Sequence, residues 1–231
     1  MSRRHLALVG VVAAIGLSGC SGSSGSDRVT SQPGPTQSQT AGALSCQPPT
    51  SSAPAPQQFK SEPPLTIGPA TYTATIVTNC GTIVVALDGK QAPHTVNSFA
   101  FLAGHHFFDH SPCHRLTTSG IFVLQCGDPT GTGRGGPGYT IPDENLKGAA
   151  YPAGTVAMAN TGQPHSGGSQ FFIVYADTAL PPAYTPFGRV VEGLDLVRAV
   201  AAKGADNSNG PGDGAPVQPV VIESFTVAKG G

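Results

Sequence analysis

Apolar positions along this chain recur with two periods, and the period-two stretches dominate. Tyr72 to Val77 and Thr82 to Leu87 are rich in β-branched residues and meet at Asn79-Cys80-Gly81, the pattern of a hairpin. Pro93 then opens a stretch in which Val96, Phe99, Ala100 and Ala103 fall at i, i+3, i+4 and i+7. That spacing predicts a helix, stopped at Gly104. A second hairpin is expected from Cys113 to Thr117 and Ile121 to Gln125, followed by a Gly/Pro-rich loop from Gly127 to Tyr139. Further strands are expected over Gly154 to Met158, Gln170 to Tyr175 and Phe187 to Val191, a short helix near Leu194 to Ala202, and a last strand over Val220 to Val227. Many short strands with two helices predict an antiparallel barrel capped at its ends.

The N-terminal third has a different pattern. Arg3 and Arg4 precede an apolar run from Leu6 to Leu17. The run is shorter than the ~20 residues a membrane-spanning helix needs, and it fits the apolar region of an export signal. Leu17-Ser18-Gly19-Cys20 resembles the lipobox of bacterial lipoproteins, in which cleavage precedes the Cys and its thiol and amine are acylated. Ordinary signal cleavage with Cys20 as a free thiol is the alternative. From Ser21 to about residue 66 the chain is mostly Ser, Thr, Gln, Pro, Gly and Ala, too poor in apolar surface to offset ordering entropy. A tether is expected there, with Cys46 as a point where it could be pinned.

Composition narrows the functions. Charged residues make up 11% of the chain, the net charge is -1, and there are 31 Gly and 22 Pro, which disfavours a helical bundle. No basic stripe interleaved with aromatics is present, so nucleic acid is not an expected partner. With Cys20 set aside for lipid, Cys46, Cys80, Cys113 and Cys126 form an even set; outside the cytoplasm that suggests disulfides in one of three connectivities. A four-Cys zinc site is the rival, and the absence of any C-x-x-C pair counts against it.

Gly131-Thr132-Gly133-Arg134-Gly135-Gly136 matches G-x-G-x-x-G, yet Pro137 and Gly138 follow and no helix can start there to hold a pyrophosphate. His105, His106 and His110 have no supporting carboxylate or Cys pattern for a metal. No G-x-S-x-G elbow exists for a hydrolase. Two segments remain: Cys113-His114-Arg115-Leu116 leading to Ile121-Phe122-Val123-Leu124-Gln125-Cys126-Gly127-Asp128, and Met158-Ala159-Asn160-Thr161-Gly162 leading to Gly168-Ser169-Gln170-Phe171-Phe172-Ile173. Polar side chains among Phe residues on paired strands suggest a groove with an apolar floor. Buried Phe residues and a solvated Arg115 are the bland reading of the same pattern.

Together the segments resemble the cyclophilin family, matching its F-H-R-V…Q-G-G-D and M-A-N-A-G…G-S-Q-F-F-I runs. Phe187-Gly188-Arg189-Val190 resembles its F-G-K-V turn, and Ala92-Pro93-His94-Thr95-Val96-Asn97-Ser98-Phe99 its first-helix signature. The resemblance runs from about Ala70 to Ala228. It implies a mainly β fold, a closed eight-stranded antiparallel barrel capped by two α-helices, occupying 70–231. A signal peptide over 1–19 and a lipidated tether over 20–69 would precede it.

The implied activity is peptidyl-prolyl cis-trans isomerisation of X-Pro bonds in exported proteins, with no cofactor or metal. A catalytically weak peptide-binding or chaperone module on the same fold is the alternative, and a secreted scaffold with an incidental barrel a more distant one. Carried over by motif, the catalytic set falls on Arg115, Phe122, Gln125 and Asn160. The substrate-binding set falls on Val123, Gly133, Ala159, Gln170, Phe172, Leu180 and Tyr184. This chain has two more residues than usual between Arg115 and Gln125, so Phe122 is placed by counting back from Gln125. Val123 stands for the family's Met, and Ala179-Leu180-Pro181-Pro182-Ala183-Tyr184 for its W-L-x-x-x-H, so weak cyclosporin binding is expected. The family's hairpin implies a Cys113–Cys126 disulfide, leaving Cys46–Cys80. The expected partners are proline-containing exported polypeptides and a membrane, reached through lipid on Cys20 at the extracytoplasmic face, with the protein a monomer.

Overall fold

Alternation of buried and exposed side chains builds the first hairpin of the computed structural model, which describes residues 44–50 and 54–230. The signal peptide and Cys20 lie outside the described residues. Strand β1 (Thr71–Thr78) buries Tyr72, Ala74, Ile76 and Thr78; β2 (Gly81–Asp88) buries Ile83, Val85 and Leu87. Helix α1 (Pro93–Gly104) follows, then β3 (Ser111–Pro112), β4 (Arg115–Thr117), β5 (Val123–Cys126), β6 (Thr155–Met158), β7 (Phe171–Val174) and β8 (Pro186–Glu192). Helix α2 (Leu194–Ala201), β9 (Asp213–Gly214) and β10 (Val221–Lys229) complete the chain.

All the strand pairings are antiparallel, in one curled sheet of order β3-β10-β1-β2-β8-β6-β7-β5-β4-β9. Among the described residues ten strands are present where eight were expected, because two are two-residue additions. One of them, β3, is separated from β4 only by Cys113 and His114, and Cys113 N–H donates to Val220 O at 2.9 Å. The run 111–117 therefore bonds to β10 near one end of the sheet order and to β5 near the other.

Phe99 of α1 is fully buried, with ring centroids 4.7–6.0 Å from those of Phe108, Phe171, Phe187 and Phe225. The first N–H groups of a helix lack internal partners. Here the carboxylate of Glu144 accepts from His94 N–H at 3.0 Å and from Thr95 N–H at 2.9 Å. An anion at that end also complements the helix dipole.

Both disulfides take the expected pairing, Cys46–Cys80 and Cys113–Cys126. Arg115 pairs with Gln125, so Cys113 and Cys126 sit one residue out of direct opposition. The expectation of an unstructured tether as far as residue 69 is corrected for the described residues. Gln47 N–H donates to Asn79 O, Phe59 packs edge-on to Phe101 at 4.9 Å, and Thr66 N–H donates to Asn97 Oδ1. The composition is tether-like, but donors and acceptors from the domain hold this backbone in place.

Candidate functional site

Four adjacent strands put one row of side chains on the sheet face turned away from the main core. Arg115 of β4 is the registered partner of Gln125 in β5; Gln125 pairs with Phe172 in β7, and Phe172 with Ala157 in β6. Cross-strand partners on one face stand about 5 Å apart at Cβ, so this register alone sets a guanidinium, an amide and an aromatic ring in line. Gln125 Oε1 accepts from Arg115 Nη1 at 3.4 Å, and Gln125 Nε2 donates to Gln170 Oε1 at 2.9 Å. The side chain of Arg115 is 34% exposed.

Asp213, in the two-residue strand β9 and registered opposite Thr117, reaches Arg115 through its side chain and was not legible from motifs. Its carboxylate accepts from Arg115 Nε at 2.8 Å and Nη2 at 2.6 Å, a two-pronged ion pair. The hydrogen bonds to Asp213 raise the pKa of Arg115, and Arg115 in turn holds the Asp213 carboxyl below the usual range. The guanidinium is thus fixed along one edge, with Nη1 turned toward Gln125.

Beside the row lies an apolar patch. Phe172, 4% exposed, packs with Val123, Tyr151, Ala157 and Val174, and Ile121, Ala159, Leu180 and Tyr184 close around them. The Tyr184 ring meets Phe172 edge-on at 5.5 Å. The loop carrying Leu180 and Tyr184 is pinned by Tyr151 and Asn160. Tyr151 Oη donates to Tyr184 O at 2.8 Å, and Asn160 Nδ2 donates to Ala183 O at 2.8 Å. Among the described residues, no partner takes the backbone N–H or C=O of Asn160, which leaves both available to an extended peptide.

The glycine-rich loop forms the other flank. Buried Asp128 accepts from Thr130 N–H and Oγ1 at 2.7 Å and from Gly135 N–H at 3.0 Å, which keeps its carboxyl ionised below the ordinary range despite burial. A Cβ at position 135 would collide with the Asp128 carboxylate, so only Gly fits there. His114 lies beside Gly133, its ring nitrogens buried without hydrogen-bond partners among the described residues. Burial pushes its pKa below the ordinary value against the pull of Asp128, and Arg115 adds to the fall. A neutral ring there places no second positive charge beside Arg115. A cavity of about 670 Å³ adjoins, lined by Gln125, Gly133, Ala159, Asn160 and Gln170 among others.

The chain is similar to proteins already known. Residues 73–227 fit the family model described as cyclophilin type peptidyl-prolyl cis-trans isomerase/CLD. The chain belongs to the cyclophilin-type isomerase family. The Mycobacterium leprae (strain TN) protein named "Probable peptidyl-prolyl cis-trans isomerase B" is 47% identical over 171 residues, 68% of this chain and 57% of the relative. "Peptidyl-prolyl cis-trans isomerase A" of Mycobacterium tuberculosis (strain ATCC 25618 / H37Rv) is 40% identical over 178 residues, 69% of this chain and 93% of the relative. The chain spans a little over half the length of the first of these relatives. A crystal structure of a Cryptosporidium parvum cyclophilin, solved in the presence of the dipeptide Ala-Pro, aligns with a TM-score of 0.59 at 27% identity, covering 68% of this chain and 99% of that one.

Of the cyclophilin positions carried over by motif, Arg115, Gln125, Gln170 and Phe172 fall in or beside the row, and Val123, Ala159, Leu180 and Tyr184 in or around the patch. Gly133 lines the cavity, as does Asn160. Phe122 is the correction. It packs against the main core, edge-on to Tyr175 at 6.0 Å, and Ile121 takes the place beside the Phe172 patch. Side chains alternate faces along a strand; Val123 and Gln125 face the groove, so Ile121 shares their side while Phe122 follows Leu124 and Cys126 inward.

Proposed function

We propose that this chain accelerates cis/trans isomerisation of X-Pro bonds in polypeptides outside the cytoplasm. One observation carries the reading: a guanidinium fixed by Asp213 stands in register with Gln125 and with Phe172, the centre of an apolar patch. Rotation about X-Pro is slow because amide resonance is lost, at a barrier of about 20 kcal/mol. As the amide twists, the prolyl nitrogen gains a lone pair that the planar ground state lacks. Arg115 donates to that nitrogen, and an interaction stronger in the transition state than before it lowers the barrier. Phe172, Val123, Ile121, Leu180 and Tyr184 receive the proline ring, and water exclusion by them strengthens the Arg115 hydrogen bond. Gln125 and the Asn160 backbone fix the flanking peptide so that one side of the bond turns. With Ala179 in place of the family's Trp, cyclosporin binds weakly.

The N-terminal motif supports placing the enzyme, as a monomer, at the extracytoplasmic face of a membrane, held by lipid on Cys20. Isomerisation of a proline tetrapeptide, read by a protease that cleaves only the trans form, tests the activity. Arg115→Ala is expected to lower kcat/KM at least about tenfold, roughly 1.4 kcal/mol of transition-state stabilisation, with unchanged folding. Equal activity in parent and variant overturns the role of Arg115. Cys20→Ser should move the protein out of the membrane fraction, and retention there overturns the anchor.

A further inference from the structure

The segment before the family match takes part in the groove. Three consecutive carbonyls of the glycine-rich loop are occupied by donors from two sources. Gly135 O accepts from Gln170 Nε2 at 2.9 Å, Gly136 O from Gln58 Nε2 at 2.8 Å, and Pro137 O from Phe59 N–H at 2.7 Å. The first donor belongs to the site. The other two come from residues that precede the family match, which begins at residue 73. This strap is fixed in its own right. The Phe59 ring lies 4.9 Å from Phe101 and 5.3 Å from His105, Gln57 Nε2 donates to His105 O at 2.8 Å, and Glu62 meets His94 at 2.7 Å. The loop is shaped to receive it: a Cβ at Gly138 would stand 2.7 Å from Phe59 O and 2.9 Å from Gln58 Oε1, inside contact distance.

The bonds form one connected path. Asp213 holds Arg115, Arg115 donates to Gln125, Gln125 to Gln170, Gln170 to Gly135 O, and Gln58 holds the next carbonyl. Gln58 also lines the 670 Å³ cavity with Asn160, Thr161, Ser166 and Arg134. The walls carry amides and hydroxyls beside apolar surface from Pro137, Tyr139 and Ala159, and Arg134 is the one charged side chain among the lining residues. Such a wall suits a side chain with an apolar stem and a polar tip, and its single cation favours a carboxylate at that tip.

We propose that the strap 57–59 is a built part of the substrate groove, where Gln58 positions the glycine-rich loop so that the cavity takes an acidic side chain flanking the X-Pro pair. The inference rests on the reading of the groove as a proline-peptide site, and its test is separable from turnover. Proline peptides carrying Gly, Leu, Lys or Glu at each of the two residues on either side of X-Pro are titrated calorimetrically into the full-length chain. Their isomerisation is measured in parallel. At one of these positions the parent should bind the Glu peptide at least about fivefold more tightly than the Leu or Lys peptide. Gln58→Ala and Phe59→Ala should bring that preference within about twofold, and Arg134→Gln should abolish it. Melting curves confirm that each variant is folded, and should Phe59→Ala not fold, Gln58→Ala decides. A flat ranking in the parent, or a ranking unchanged in Gln58→Ala, overturns the subsite. A parent that prefers Glu peptides yet isomerises none of them overturns the isomerase reading and leaves the subsite standing.

Discussion

The Asp213 carboxylate takes the Nε and Nη2 edge of Arg115, so the Nη1 corner is the part of the fork turned toward Gln125 and the groove. Arginine in this position needs such a partner, because a long side chain that is one-third exposed otherwise spends its rotamer freedom in solvent. Asp213→Asn keeps the shape and removes the charge and one of the two acceptors. A loss of about fivefold in kcat/KM is expected, near 1 kcal/mol, with kcat falling more than KM rises. The pH dependence has a definite sign. Asp213 is held below its ordinary value by Arg115, so the stability from the pair is fully present above the unfolded pKa of about 3.9. It is lost as pH falls through the lower folded value. The urea midpoint of the parent should therefore exceed that of Asp213→Asn at pH 7, and the gap should close in acid below about pH 4. Asp128 and Glu223 are also held low but are common to both proteins, so they cancel in the difference. A gap that widens in acid would contradict the assignment.

At the scale of strands, alternation determines which side chains serve the groove. Both helices and all the longer strands begin and end within about two residues of where the apolar periods place them, because a half-buried strand leaves its mark on every second residue. Arg115, Gln125 and Phe172 were legible through the family motifs instead, since β7 is buried at every residue and carries no alternation. Phe122 was not, because the turn before it is two residues longer than the family's, and counting back from Gln125 reproduces a family position without asking which face it occupies. Asp213 was invisible for another reason. It lies in a Gly/Asn/Pro-rich stretch with no period, and it reaches Arg115 across 98 residues of chain. The two faces separate in experiment. Phe122→Ala opens a space against Tyr175 and the main core, and should cost about 2–3 kcal/mol in urea unfolding for this half-buried ring, with little change in KM. Ile121→Ala should cost less stability and raise KM for a proline tetrapeptide several-fold. The reverse pattern would return Phe122 to the groove.

Taken as a whole molecule, the fold is held at two places by covalent links with different neighbours. Cys113–Cys126 flanks His114, Arg115 and Gln125, whereas Cys46–Cys80 joins the N-terminal segment to the β1–β2 turn, whose Asn79 reaches the Cys113 segment only through the backbone of Pro219 to Val221. The docking of that segment could not be read from its composition, since its bonds run from backbone and amide groups that any Pro/Gln-rich stretch carries. What fixes them is supplied by the domain: Asn79 holds Gln47, Asn97 holds Thr66, and Glu223 accepts from Thr50. With this docking in place, the crosslink acts chiefly on the unfolded chain. A link across 34 residues restricts that ensemble by about 4 kcal/mol in the chain-entropy model. Cys46→Ser combined with Cys80→Ser should lower the free energy of unfolding by up to that amount. The segment 57–66, which includes the strap, keeps its own anchors at Phe101, His94 and Asn97 in this variant. Isomerisation of a proline tetrapeptide in the folded variant should therefore match the parent within about twofold. A drop in kcat without loss of stability would mean that the crosslink acts on the groove.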